Sequence, residues 1–149
     1  MSDEFEIAVA ERADAALAET MERLIRQLSS SASPPIPTQA DLREMIDSSS
    51  TTLFTARAAD GSIVGILALV VFRIPTGVRA WIEDVIVDQR VRGKGVGAAL
   101  TRRALDLAVS RGARTVELTS RPGRVAANAL YLKLGFERRD TNVYRYTPR

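Results

Sequence analysis

Three glycines at alternate positions, Gly93, Gly95 and Gly97, separate an apolar run ending at Val87 from a helical pattern reaching Ser110. A residue without Cβ lets a ligand approach the backbone closely. The first N–H groups of a helix have no intrahelical partners and lie at the positive end of its dipole. A glycine-rich turn running into a helix is therefore a ready anion site. Arg90, Arg92 and Lys94 add positive charge to the stretch from Asp88 to Leu100, DQRVRGKGVGAAL, and a diphosphate is its natural guest. Two familiar phosphate motifs fit less well. A Walker A loop needs Gly where this chain has Asp88, and Ser or Thr where it has Gly95. Gly93, Gly95 and Ala98 meet a loose dinucleotide pattern, and Glu117 lies about twenty residues on. Yet five residues part Val87 from Gly93, whereas the dinucleotide turn follows its strand at once. The plainest alternative is a turn whose basic residues face solvent.

The flanking pattern says what carries this loop. Ala16, Leu17, Met21, Leu24, Ile25 and Leu28 recur at helical spacing, which predicts a helix from Ala13 to Leu28. Ser29 to Pro37 cannot continue it and reads as a loop. Thr38 reads as the N-cap of a second helix ending near Asp47. Strands follow at Thr52 to Ala58, Ser62 to Ile74 and Arg79 to Val87, with a hairpin turn at Asp60-Gly61. After the glycine loop come a helix to Ser110, a strand from Thr115 to Thr119 and a helix from Val125 to Leu134. Phe136 to Arg139 and Val143 to Tyr146 read as two last short strands, and Glu4 to Val9 as a further one. Tyr144 and Tyr146 alternate with Arg145, as in a half-buried strand. A meander followed by a crossover helix makes an α/β (α+β) chain with a mixed sheet. The expectation is one domain over residues 1–149.

Composition removes several chemistries. The chain has no Cys and no His, which excludes disulfides, thiol nucleophiles, Ser-His-Asp catalysis and zinc sites built on either residue. Acid and base work near neutral pH falls to Glu, Asp, Tyr, Lys, substrate or water. The net charge of +3 is spread among acids and aromatic residues are only 5%, so no nucleic-acid platform is expected. No apolar run approaches the roughly 20 residues of a membrane helix. The opening MSDEFEIAVAERADAALAE lacks the basic and apolar regions of a secretory signal, so a cytoplasmic enzyme is expected.

The loop resembles the acetyl-CoA loop of the GNAT acetyltransferases, Q/R-x-x-G-x-G/A, with Arg90, Gly93 and Gly95 filling the pattern and Gly97 extending it. WIEDVIVD, Trp81 to Asp88, resembles that family's fourth strand, and NALYLKLGF, Asn128 to Phe136, resembles its N-x-x-A/L-x-x-x-Y-x-K-x-G-F segment. The three occur in the family's order across Arg79 to Phe136, whereas the first half of the chain matches only in layout. The resemblance implies a GNAT fold, a mixed, mostly antiparallel central sheet flanked by about four helices. It implies an N-acetyltransferase that moves acetyl directly from acetyl-CoA to a primary amine of a small molecule, with no metal and no membrane partner. A protein N-terminus or lysine as acceptor, or a non-catalytic CoA-binding regulator on the same fold, are the alternatives. The resemblance allows a homodimer.

It also implies roles. Backbone groups of Val85, Ile86 and Val87 would hydrogen-bond pantetheine and the acetyl carbonyl. N–H groups from Arg92 through Gly93, Lys94, Gly95 and Val96 to Gly97, with Arg90 beside them, would hold the pyrophosphate. Glu83 would be the base, acting through a water. The readings as substrate-ammonium anchor or as a structural partner of an arginine stay open. Its neighbours Ile82, Val85 and Ile86 suggest apolar surroundings, and alternation would send Asp84 to the opposite face. Tyr131 would be the acid and a contact of the CoA sulfur, against a plain place on the apolar helix face. Asn128 would bind cofactor, against an exposed polar residue. Trp81 fits an acceptor pocket or the core, Arg121 and Arg124 fit CoA phosphates or solvent, and the Ser29 to Pro37 loop fits an acceptor cover or a connector.

Overall fold

A computed structural model of the chain describes residues 5–28 and 34–149. These group into two compact units, one reaching Leu118 and the other Thr119–Arg149. Most of the expected Ser29 to Pro37 loop, and Glu4, lie outside the described residues.

The first unit is a five-stranded sheet in the order β1-β2-β3-β4-β5, formed by Phe5–Val9, Thr51–Ala58, Ile63–Ile74, Gly77–Val87 and Thr115–Glu117. The first four strands pair antiparallel and β5 joins β4 in parallel, so the sheet is mixed as expected. The most apolar stretch of the chain is β3, which takes the centre because both its faces are covered. On one face α1 (Ala15–Ile25) and α2 (Gln39–Asp47) bury Leu17, Met21, Leu24 and Leu42 against Leu53, Ile66 and Ile86. The cap of α2 is the one its sequence announces. The Thr38 hydroxyl accepts from Asp41 N–H at 3.1 Å and the Asp41 carboxylate accepts from Thr38 N–H at 2.9 Å.

On the opposite face lies α3 (Val96–Ser110), and Gly65 in β3 is what lets it settle there. A Cβ at Gly65 would stand 2.9 Å from Val96 Cγ1 and 3.1 Å from Leu100 Cδ1, and both of those side chains are buried. Gly65→Ala should therefore lower stability by about 1–3 kcal/mol, the usual penalty of overpacking. A denaturant midpoint equal to that of the wild type would contradict this close packing.

Strand β4 departs from regular alternation. Ala68 faces Glu83 and Ile66 faces Ile86, so two steps along β3 match three along β4. The extra residue makes a bulge, and Asp84 takes φ 50 there, a left-handed conformation that Asp tolerates better than most side chains. The bulge corrects two expectations from simple alternation. Glu83 and Asp84 are both exposed, and Glu83 does not sit in apolar surroundings. Past the bulge the strand has changed faces. Ile82 pairs with Leu69 on the α3 side, while Ile86 pairs with Ile66 on the α1 side.

The second unit carries α4 (Val125–Lys133), closed at Gly135 with φ 102. Residues 136–149 form no regular secondary structure, which overturns the two expected final strands. Glu137-Arg138-Arg139 offers no apolar residue to alternate, and Val143, Tyr144 and Tyr146 are exposed rather than half-buried. A lone pair of short strands is marginal without further partners. Among the described residues no helix is long and apolar enough to cross a membrane.

Candidate active site

The glycine loop gathers most of the expected binding residues in the first unit. β4 and β5 pair only from Arg79 to Trp81 against Thr115 to Glu117, and an ion pair from Arg79 to Glu117 at 2.6 Å fastens this short contact. Beyond Trp81 no described strand pairs with that edge of β4, so the edge holding Val85, Ile86 and Val87 is open to a ligand that hydrogen-bonds like a strand.

Asp88 then caps a 3₁₀ turn, Gln89–Val91, and the chain runs through Gly93 at φ 80 and Gly95 at φ 86 into α3. Gly95 is the N-cap residue and supplies no side chain to the helix end. The first hydrogen bond of the helix runs from Ala99 N–H to Gly95 O at 3.0 Å, so the N–H groups of Val96, Gly97 and Ala98 precede it. Lys94 N–H is partly used, donating to Val91 O at 3.3 Å. A Cβ built on Gly93 or Gly95 would meet nothing within 4 Å. The loop is thus open on the side where side chains would stand, and the residues present suit a diphosphate. The family pattern also fits a second frame, Arg92-x-x-Gly95-x-Gly97. In that frame the glycines fall on the helix N-terminus itself.

The three basic side chains of the loop are not equivalent. Arg92 and Lys94 are exposed, Arg92 donating weakly to Val87 O at 3.4 Å. The Arg90 guanidinium is engaged by Asp88 at 3.0 Å, a carboxylate that it shares with Arg23. The Asp88 carboxylate is buried, 1% exposed, and also accepts from Arg90 N–H at 3.0 Å and from the guanidinium of Arg23 on α1. Burial pushes this carboxyl up. The hydrogen bonds from Arg90 and Arg23 and the Arg90 charge more than offset it, holding the group below the ordinary carboxylate range. Sequence reading missed Asp88 as a site residue, because its partner Arg23 is 65 positions away. The sequence did carry a signal: an acid closing an apolar strand just before a basic loop.

Glu83 lies on β4 before the bulge, two residues after the half-buried Trp81 and on the same face as Ala68. In the second unit, Tyr131 is 8% exposed on α4, and its ring meets the Phe136 ring edge-on at 5.7 Å. Burial pushes the Tyr131 phenol up and the charge of Arg124 pulls it part of the way back, so the group holds its proton at neutral pH. Asn128 uses its side-chain amide to hold the preceding loop, donating to Arg121 O at 2.9 Å. Arg121 and Arg124 are exposed.

The sequence profile of the Acetyltransferase (GNAT) family matches residues 18–136. N-acetylaspartate synthetase of Homo sapiens is 35% identical over 104 residues, which cover 65% of this chain and 32% of that protein. The chain thus spans about a third of the length of that relative. Among solved structures, an aminoglycoside acetyltransferase from an uncultured soil metagenomic sample superposes with a TM-score of 0.83 at 18% identity, over 99% of this chain and 97% of that one. Glucosamine-6-phosphate N-acetyltransferase from Arabidopsis thaliana superposes with a TM-score of 0.77 at 21% identity, over 97% of this chain and 99% of that one. At these identities the two structures speak for the fold alone.

Proposed function

The chain belongs to the GNAT acetyltransferase family, and on that premise we propose that it transfers acetyl from acetyl-CoA directly to a primary amine of a small molecule. The observation that carries this reading is the open loop at Gly93 and Gly95 leading into the uncapped start of α3, beside the unpaired edge of β4. An anion belongs at such a helix start, and an extended amide-bearing arm belongs along such an edge. Acetyl-CoA has both parts. The family match crosses from the first unit into the second, which supports reading the two as parts of one domain.

In the proposed reaction a bound ammonium first gives up a proton, and Glu83 takes it through a water. The free amine nitrogen then attacks the thioester carbonyl carbon. The C–S bond breaks as the amide forms, Tyr131 protonates the departing thiolate, and the proton that the attacking nitrogen sheds returns through solvent to the tyrosinate. The first solution test is calorimetric titration of the protein with acetyl-CoA and with CoA. Micromolar binding supports the reading, and no binding by a well-folded sample overturns it.

Glu83→Gln isolates the base. The expected loss in kcat is about a hundredfold, the lower end of general-base effects, since a water relays the proton. A variant with the wild-type kcat would remove Glu83 as the base.

A further inference from the structure

The glycine loop has no side-chain anchors of its own at Gly93 and Gly95, so it takes its position from its two ends. One end is the first turn of α3. The other is Asp88, and there the contacts reach far beyond the loop. Its carboxylate accepts from the Arg23 guanidinium, from the N–H and guanidinium of Arg90, and from Gln27 Nε2 at 3.5 Å. Arg23 in the last turn of α1 and Gln27 just past its end each make a second bond, one to the sheet and one to the loop. Arg23 donates to Ile63 O at 2.8 Å, at the start of β3, and Gln27 Oε1 accepts from Gln89 N–H at 3.0 Å. Arg23 and Gln27 both reach Asp88 and its neighbour Gln89 from the C-terminal end of α1. A buried carboxylate is costly and an apolar residue would fill the same space more cheaply. What the carboxylate adds is direction, since its donors come from separate elements and converge on one group.

We propose that Asp88 is a positioning residue for the acetyl-CoA loop, and that it sets the loop by tying it to α1 through Arg23. Arg90 belongs to this clamp rather than to the phosphates. The inference rests on the proposed binding of acetyl-CoA at this loop. A clamp of this kind raises affinity by holding the loop ready before the ligand arrives. It leaves the acetyl-transfer step itself alone.

The experiment measures CoA affinity by calorimetry, and the kcat and KM for acetyl-CoA, in wild type, Asp88→Asn, Arg23→Met and Arg23→Lys. Asp88→Asn and Arg23→Met should weaken CoA binding and raise KM roughly three- to thirtyfold, with kcat kept at saturating acetyl-CoA. Arg23→Lys keeps one charged donor for Asp88 and should recover most of the loss. A merely structural role would lower the melting temperature without this split or this rescue. If Asp88→Asn does not fold, the Arg23 pair carries the test, because that side chain is 39% exposed. Folded Arg23→Met with wild-type CoA affinity, or with a loss confined to kcat, overturns the inference. No CoA binding by the wild type would instead overturn the functional reading on which the inference stands.

Discussion

Glutamate at both Gly93 and Gly95 should abolish CoA binding, with an affinity loss beyond about a thousandfold, about 4 kcal/mol. Two effects add. Each position has a left-handed φ, 80 and 86, which costs an L-residue about 1–2 kcal/mol. Each new carboxylate would also stand in the open space in front of the loop, where the reading puts a diphosphate. The same openness means that neither new Cβ collides with the protein. The fold should survive with a lower melting temperature. Gly112→Glu is the matched control, with φ 85, equally open surroundings and a place beyond the far end of α3. It should show a comparable backbone penalty and bind CoA like the wild type. Equal CoA affinity in the double variant and the wild type would leave the loop as an ordinary turn.

Tyr131→Phe should reduce kcat a hundred- to ten-thousandfold, the range for loss of a general acid, with CoA affinity unchanged. Phenylalanine keeps the ring and its edge contact with Phe136, so stability should hardly move. The sign of the pH effect follows from the raised phenol. An acid works only while protonated, and burial lifts Tyr131 above its ordinary value of about 10. The wild-type alkaline limb attributable to this group should therefore lie above about pH 10 and vanish in the variant. A rate untouched at every pH would end the assignment.

Local chemistry made much of this legible in advance. Thr38 with Asp41 announced the start of α2, Asp60-Gly61 the hairpin, and the β-branched run after Ser62 the central strand. The glycines ahead of α3 announced the loop, because backbone conformation there depends on residue type alone. The features that escaped depend on pairing. Nothing in Glu83-Asp84 alone says that the partner strand advances two steps while this one advances three. Nothing in Arg90 says that it pairs with Asp88, whose other guanidinium comes from a helix near the start of the chain. Val143 to Tyr146 alternates convincingly, yet alternation describes a strand only when a neighbouring backbone receives its hydrogen bonds.

The bulge in β4 has a consequence for how this protein can vary. Asp88 reaches Arg23 only because the extra residue at Asp84 turns everything after it over, bringing Ile86 and then Asp88 to the α1 side. Paired regularly at the same length, without the bulge, the residues after Asp84 would all turn to the other face. The acid would then point toward α3, and Val87 toward the arginine. A strand one residue shorter and free of the bulge would instead leave Ile86 opposite Ile66 and Asp88 on the α1 side. Homologous recombination or design that swaps this strand between relatives must match residue count and bulge together before it considers the residues themselves.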